Sequence, residues 1–217
     1  MDLTLVLTLG TPLLIIAAIV KSDKFPEPTE LVIKTFFVGV LLCLPAGELN
    51  HLLIPSDEYS FIAGFTEESL KFLALYFYIK PKKSFNEPMD AIVYGTIISL
   101  GFATYENIEY VYLYNEEFSS LFIAILRAIS AIPLHASCGV IMGYYIGLYV
   151  FKGDNKYIVQ ALLIPIFIHA LYNYLTGFSG LIFFGYLILV IYFAKSLHNR
   201  FIAEQQFKTI EKETKLS

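Results

Sequence analysis

The chain has 217 residues, of which 57% are hydrophobic and 16% are charged, and its formal net charge is −4. Its mean hydropathy is +0.64. These values exclude an ordinary soluble domain and indicate a chain that is embedded in lipid. Because the sequence has no basic tract, we expect no nucleic-acid partner, and the lipid bilayer is the first partner that we expect.

Apolar runs of about 20 residues recur along the sequence, and a helix of this length crosses a bilayer core of about 30 Å. The runs are solidly apolar rather than alternating, which favours helices over the strands of a membrane barrel. The pattern therefore predicts an all-α fold, a polytopic transmembrane helical bundle with about seven spans. The predicted spans are residues 3–20, 31–50, 59–79, 90–113, 128–151, 157–177 and 181–197.

Basic residues set the predicted orientation, since cytoplasmic loops are enriched in Lys and Arg. All basic residues except Lys71 and Arg127 flank the loops of one side or follow the last span. In the loops of the opposite side, all charged residues are acidic. We therefore expect the N-terminus outside and the C-terminus in the cytoplasm of a cell-membrane protein. We also expect a single transmembrane domain over residues 1–198 and a cytoplasmic tail over residues 199–217.

Two local patterns carry further structural expectations. A fifth span that began at residue 118 would place His135 about 17 residues deep, far below the other polar groups, so we expect residues 118–127 to form a short helix along the outer interface, with a bend near Pro133. Gly139, Gly143 and Gly147 recur every four residues, which predicts close backbone packing against a neighbouring helix.

Ionisable side chains inside several spans are the main functional signal, because each costs about 2.5–3.5 kcal/mol in a membrane. Among the polar residues within spans, those that we assign to a candidate site are Glu67, Glu68, Lys71, Glu106, Asn107, His135, His169 and Asn173. Glu67, Glu106 and His169 each lie about eight residues, or roughly 12 Å, from the predicted outer face. The spans therefore predict one shared polar site near that face.

Spacing along the helices adds detail to this site. Lys71 follows Glu67 by four residues and Glu68 by three, so its ammonium group can neutralise a carboxylate. Asn173 follows His169 by four residues, so its side chain can hydrogen-bond the imidazole. Acids and imidazoles that converge in a low-dielectric site are suited to general acid/base catalysis or to metal binding.

The order of these residues resembles the PrsW family of bacterial intramembrane proteases over about residues 60–178. The motifs that carry the resemblance are Glu67-Glu68-x-x-Lys71, Phe102-x-x-x-Glu106-Asn107-x-x-Tyr110, His135 within RAxxxxPxH, and His169-x-x-x-Asn173. The chain is also similar to the wider CAAX protease and bacteriocin-processing superfamily, in which a histidine occupies the position of Glu106. The resemblance implies a transmembrane protease domain with its motif core at residues 60–178.

The resemblance also implies an activity and a substrate. The expected reaction is hydrolysis of a peptide bond in a single-pass membrane protein, such as an anti-sigma factor, near the extracytoplasmic face. This is the site-1 step of regulated intramembrane proteolysis. The expected catalytic residues are Glu67, Glu68, Glu106, His135 and His169, and the expected supporting residues are Lys71, Asn107 and Asn173.

The mechanism that we expect uses Glu67 as the general base on a water molecule, with His135 and His169 at the scissile carbonyl. Two versions stay open. In one, Zn²⁺ is bound, with Glu106, His135 and His169 as possible ligands. In the other, the site is glutamate-dependent and uses no metal.

Two other function classes use similar buried polar residues. A proton-coupled membrane transporter also needs buried acids and histidines, but its site would lie at the bilayer midplane between inverted repeats, and the sequence has no repeat. A non-catalytic receptor or immunity scaffold would be expected to lose a core Glu or His, and none is lost.

Overall fold

The computed structural model describes residues 2–113 and 118–216, with side chains as far as residue 207. Within these ranges the chain is helical apart from its loops and contains no strand, which confirms the predicted all-α class. Its α-helices are α1 Leu3–Ser22, α2 Thr29–Leu53, α3 Ile62–Leu73, α4 Pro88–Ile108, α5 Ser120–Ile129, α6 Ala131–Lys152, α7 Lys156–Leu175 and α8 Gly180–Leu216. Helices α3 and α4 continue as π-helical turns over Ala74–Ile79 and Glu109–Leu113.

Five helical segments of the described chain are long and apolar enough to cross a membrane, in agreement with a multi-pass membrane protein. They are Leu3–Ser22, Thr29–Leu53, Ser120–Lys152, Lys156–Leu175 and Gly180–Phe207. The two other predicted spans correspond to α3 and α4, the helices that carry Glu67, Glu68, Lys71 and Glu106. The count of seven spans and the orientation of the termini stay predictions.

Helix α4 lies at the centre of the bundle and is buried along nearly its whole length. It packs against α1, α2, α6 and α8. Its approach to α6 depends on glycine: a Cβ atom on Gly143 would lie 2.2 Å from the carbonyl oxygen of Ala91, and one on Gly139 would lie 2.7 Å from that of Gly95. The predicted packing role of these α6 glycines is therefore confirmed.

The predicted short helix ahead of the fifth span is confirmed as α5, which is separate from α6. The break falls at Ser130, whose backbone angles are φ −127° and ψ −71°, and not at Pro133 as the sequence suggested. Pro133 lies in the first turn of α6, where its missing amide hydrogen removes no helical hydrogen bond. The placement of α5 along the membrane interface stays a prediction.

Helix α8 runs through residue 198 without a break. Beyond that point Phe201 is buried against Tyr144, with 4.6 Å between the ring centroids, and Gln205 is buried beside Asp23. The first part of the predicted tail therefore packs on the helical bundle. Its cytoplasmic location, and the domain boundary at residue 198, stay predictions.

Candidate active site

Four buried ionisable side chains from three helices meet in one group, which we call the Glu/His centre: Glu67 and Glu68 on α3, His135 on α6 and His169 on α7. One donor atom from each residue lies within 4.8 Å of the donor atoms of the others. The structure thus brings together four of the five expected catalytic residues. Their catalytic role is the subject of the proposal below.

A glycine contact between α3 and α7 positions half of the Glu/His centre. A Cβ atom on Gly64 would lie 2.4 Å from the backbone nitrogen of Ala170, so only glycine allows the two helices to approach this closely. Glu68 lies one turn after Gly64, and His169 directly precedes Ala170. The result is a distance of 2.9 Å between His169 Nδ1 and Glu68 Oε1.

Lys71 lies among the donor atoms of the centre and is fully buried. Its Nζ atom is 2.7 Å from Glu68 Oε1, 3.5 Å from Glu67 Oε2 and 3.1 Å from His135 Nδ1. The ion pairs expected from the spacing of these residues are therefore formed. Since two carboxylates are buried together here, the ammonium group supplies charge compensation that this part of the bundle requires.

The hydrogen bonds of His135 define its tautomer. An ammonium group only donates, so His135 Nδ1 accepts from Lys71 and the ring is neutral. His135 Nε2 then carries the hydrogen and donates to Glu106 Oε2 at 2.9 Å. His135 is therefore held at both nitrogens, by a cation on one side and a carboxylate on the other.

Glu106 and Asn107 are bound by Arg127, a residue that the sequence analysis did not place in the site. Arg127 Nη2 is 2.6 Å from Glu106 Oε2, and Arg127 Nε donates to Asn107 Oδ1 at 2.6 Å. Asn107 in turn donates to the carbonyl oxygen of Thr8 on α1 at 3.2 Å. The one feature of the sequence that could have indicated this role is that Arg127 is a basic residue at the edge of a predicted span. Glu106 is not a member of the Glu/His centre, and its Oε2 atom lies 2.9 Å from His135 Nε2.

Asn173 has a different partner from the one expected. Its side-chain amide donates to the carbonyl oxygen of Ser60 at 3.1 Å, whereas the hydrogen-bond partner of His169 Nδ1 is Glu68. The contact ties the end of α7 to the loop before α3. Asn173 therefore supports the site through the backbone rather than through the imidazole.

A cavity of about 720 Å³ adjoins the Glu/His centre. Glu67, Glu106, His135 and His169 are among its lining residues, whereas Glu68 and Lys71 are not. Its walls come from α2, α5 and the start of α8, and it extends to the loops that contain Asp57, Ser60, Thr176 and Phe178. A cavity of this size can hold a segment of a peptide chain.

Two carboxylate oxygens of the centre have no hydrogen-bond partner among the described residues. They are Glu67 Oε2 and Glu68 Oε2, and both are buried. A buried carboxylate oxygen without a donor is costly, so the arrangement favours a bound cation or a reacting group at this place. Carboxylate oxygen and imidazole nitrogen are ligands that zinc prefers, and the donor set therefore fits this metal.

Known proteins are similar to this chain over most of its length. Residues 27–196 match the family model described as PrsW family intramembrane metalloprotease. No solved structure matches the chain.

Several relatives are named Protease PrsW. The one from Bacillus subtilis is 37% identical over 175 residues, covering 76% of this chain and 78% of the relative. The one from Clostridioides difficile is 34% identical over 191 residues, covering 81% and 80%. These matches favour a peptidase over a transporter or a non-catalytic scaffold. The chain therefore belongs to the PrsW family of intramembrane metalloproteases and is a multi-pass membrane peptidase.

Proposed function

We propose that this peptidase performs site-1 cleavage of a single-pass membrane protein, such as an anti-sigma factor, near the extracytoplasmic face. The family membership supports peptide-bond hydrolysis in the membrane. The predicted orientation places the loops at Asp57 and Thr176 outside, and the cavity beside the Glu/His centre extends to these loops. Water and an unwound substrate segment would both reach the centre from that side.

The observation that carries the proposal is the environment of Glu67. Its side chain lines the cavity, and its buried Oε2 atom accepts no hydrogen bond from a described residue. The same atom is 3.5 Å from Lys71 Nζ and 3.9 Å from His169 Nδ1. Glu67 is thus a carboxylate held beside two nitrogen donors with an oxygen still able to accept a proton from water.

In the proposed reaction, Glu67 accepts a proton from water as the water oxygen bonds to the scissile carbonyl carbon. The carbon–nitrogen bond then breaks, and Glu67 returns the proton to the leaving amine. The imidazoles of His169 and His135, which line the cavity, favour the negative charge that develops on the carbonyl oxygen. The products are a carboxylic acid and an amine, and Glu67 ends the reaction in its starting, deprotonated form.

Within the same proposal, Glu68, His135 and His169 would hold a zinc ion. Zinc, when bound, supplies Lewis acidity toward the carbonyl oxygen. Binding through His135 Nδ1 would replace the contact of that atom with Lys71. Glu106 then serves as the carboxylate that orients His135 through Nε2, an arrangement common around metal-binding histidines.

The test is cleavage of a single-pass substrate by the full-length protein in liposomes. We expect Glu67→Gln to lower the cleavage rate by about three orders of magnitude, because the amide cannot accept the proton. Glu109→Gln is the matched control, since Glu109 also lines the cavity but lies outside the Glu/His centre.

Mapping the products by mass spectrometry locates the cut. We expect a peptide bond in the extracytoplasmic half of the substrate helix. Cleavage by Glu67→Gln at the wild-type rate would contradict the assignment of the base, and a cut in the cytoplasmic half would contradict the assignment of the face.

A further inference from the structure

A second group of carboxyl groups, two of them buried and one partly buried, lies at the opposite end of α4 from the Glu/His centre. Asp23 caps the C-terminal end of α1, and Glu87 and Asp90 lie at the start of α4. One carboxylate oxygen from each of these three residues lies within 4.8 Å of the others. We call them the acidic cluster. Asp90 precedes Glu106 by sixteen residues of helix, which corresponds to a separation of about 24 Å.

Helix capping explains only part of this cluster. Asp90 Oδ2 accepts from the backbone nitrogens of Asn86 and Glu87, at 2.7 and 2.8 Å, as in a capping box. Asp90 Oδ1 is buried and accepts no hydrogen bond from the described residues. Capping of α4 uses only Asp90 Oδ2, so it does not explain why Oδ1 is buried without a hydrogen-bond donor.

Asp23 shows the same division between its two oxygens. Asp23 Oδ1 accepts from the backbone nitrogen of Phe25 at 3.0 Å and from Gln205 Nε2 at 2.8 Å. Asp23 Oδ2 is buried without a hydrogen-bond partner in the described part of the chain. Asp23 is 6% exposed and Asp90 is 1% exposed, so water has little access to the two oxygens that lack hydrogen-bond donors.

Neither Asp23, Glu27 nor Asp90 forms an ion pair with a described Lys, Arg or His side chain. The Tyr94 hydroxyl donates to Glu27, whose carboxyl group adjoins the acidic cluster. Adjacent buried carboxyl groups without a counter-charge are unstable unless a cation or a proton joins them.

We propose that the acidic cluster binds a hard divalent cation, Ca²⁺ or Mg²⁺, through Asp23 Oδ2, Asp90 Oδ1 and the carboxylate of Glu87. The donors are oxygen atoms only, which suits these ions and not the nitrogen-preferring metals. The site is separate from the Glu/His centre and does not depend on the proposed catalytic mechanism. It joins the end of α1 to the start of α4.

Gln205 extends this connection to α8. Its Nε2 atom donates to both Asp23 and Glu87, and its Oε1 atom accepts from the backbone nitrogen of Lys24 at 3.3 Å. A cation in the acidic cluster would therefore hold the end of α1, the start of α4 and the Gln205 region of α8 together on the predicted cytoplasmic side. Its expected effect is on the stability of the bundle.

The test uses the full-length protein in detergent after treatment with a chelator. Thermal unfolding is followed with Ca²⁺ or Mg²⁺ added alone, and Tb³⁺ luminescence sensitised by tyrosine reports direct binding to an oxygen-rich site. We expect the cation to raise the midpoint of unfolding of the wild type. Asp23→Asn should weaken binding about tenfold, because it replaces a charged ligand by a neutral one.

Three comparisons make this test decisive. Asp154→Asn is the control, since Asp154 is an exposed acid of the loop between α6 and α7 and pairs with Lys156. His169→Ala should bind the cation as the wild type does, because it alters only the Glu/His centre. If Asp90→Asn fails to fold through loss of the cap, Asp23→Asn and direct binding to the wild type still decide the question.

A shared proton is the alternative occupant, because burial raises the pKa of the Glu27 carboxyl group. That alternative predicts no stabilisation by Ca²⁺ or Mg²⁺ and predicts that Asp23→Asn gains stability at neutral pH in the presence of chelator. Either of these results, or cation binding that persists unchanged in Asp23→Asn, would overturn the proposed site.

Discussion

The two ends of α4 differ in how the charge of nearby buried carboxylates is compensated. Around Glu106 and the Glu/His centre, the carboxylates are compensated by the side chains of Lys71 and Arg127. Around Asp90, the acidic cluster contains no histidine, and neither Asp23 nor Asp90 pairs with a described basic residue.

The donor types at each end indicate different tasks. Mixed imidazole and carboxylate donors beside a cavity suit a reactive centre that binds zinc and activates water. Carboxylate oxygens alone suit a hard cation that stabilises the fold. The comparison predicts that changes at one end alter cleavage, that changes at the other alter stability, and that the two effects are separable.

The largest expected effect is that of His169→Ala. Loss of this imidazole should lower the cleavage rate by about three orders of magnitude, because it removes a proposed metal ligand next to Glu67. The zinc content of the purified protein should fall with it. His51→Ala, at the exposed end of α2, should leave both unchanged. Full zinc content in His169→Ala would remove this residue from the metal site.

Gly64→Ala should have the next largest effect. The added methyl group would lie 2.4 Å from the Ala170 nitrogen, so α3 and α7 must move apart and separate Glu68 from His169. We expect the rate to fall about 100-fold and the free energy of unfolding to fall by about 1–3 kcal/mol. Gly185→Ala, where a Cβ atom meets no neighbour within 4 Å, should behave as the wild type in both assays.

Arg127→Gln should lower the cleavage rate by about 10- to 100-fold. The change removes the ion pair that holds Glu106, and Glu106 orients His135 through Nε2. Arg127→Lys should recover part of the rate, since it restores the charge but not the second contact with Asn107. Equal rates for wild type and Arg127→Gln, measured on folded protein, would show that Glu106 needs no such support.

Asp23→Asn should have the smallest effect on cleavage. Asp90 is separated along α4 by about 24 Å from Glu106, which contacts the Glu/His centre, and distant sites contribute independently, so the rate should stay within about twofold of the wild type. The midpoint of thermal unfolding in Ca²⁺ or Mg²⁺ should nevertheless fall. A large loss of activity without a loss of stability would contradict the independence of the two sites and show that the acidic cluster contributes to cleavage.

The sequence was sufficient to predict the helical bundle and the residues of the Glu/His centre. Both predictions use signals that are local in sequence, namely apolar runs of membrane length and ionisable residues within them. The partners of Glu106 and Asn173 were not predictable in this way. Arg127 reaches Glu106 because the chain breaks at Ser130, and Asn173 reaches Ser60 because of how one loop packs.

The acidic cluster was also outside the reach of sequence reasoning. Asp23, Glu87 and Asp90 lie near the ends of predicted spans, where acids are usually solvated. Asp23 is covered by the packing of α8 beyond residue 198, which brings Gln205 against it. That packing brings together residues about 180 positions apart in sequence, so no short sequence motif predicts it.

The most direct test of the central claim combines metal content and cleavage rate in one titration. Wild-type protein and Glu67→Gln are stripped with a chelator, and zinc is returned in steps. We predict that the wild type loses activity on stripping and recovers it at one zinc ion per chain, whereas Glu67→Gln takes up the same zinc and stays inactive. Wild-type activity that survives removal of all metal, or an active Glu67→Gln, would contradict a zinc-dependent Glu/His centre with Glu67 as its base.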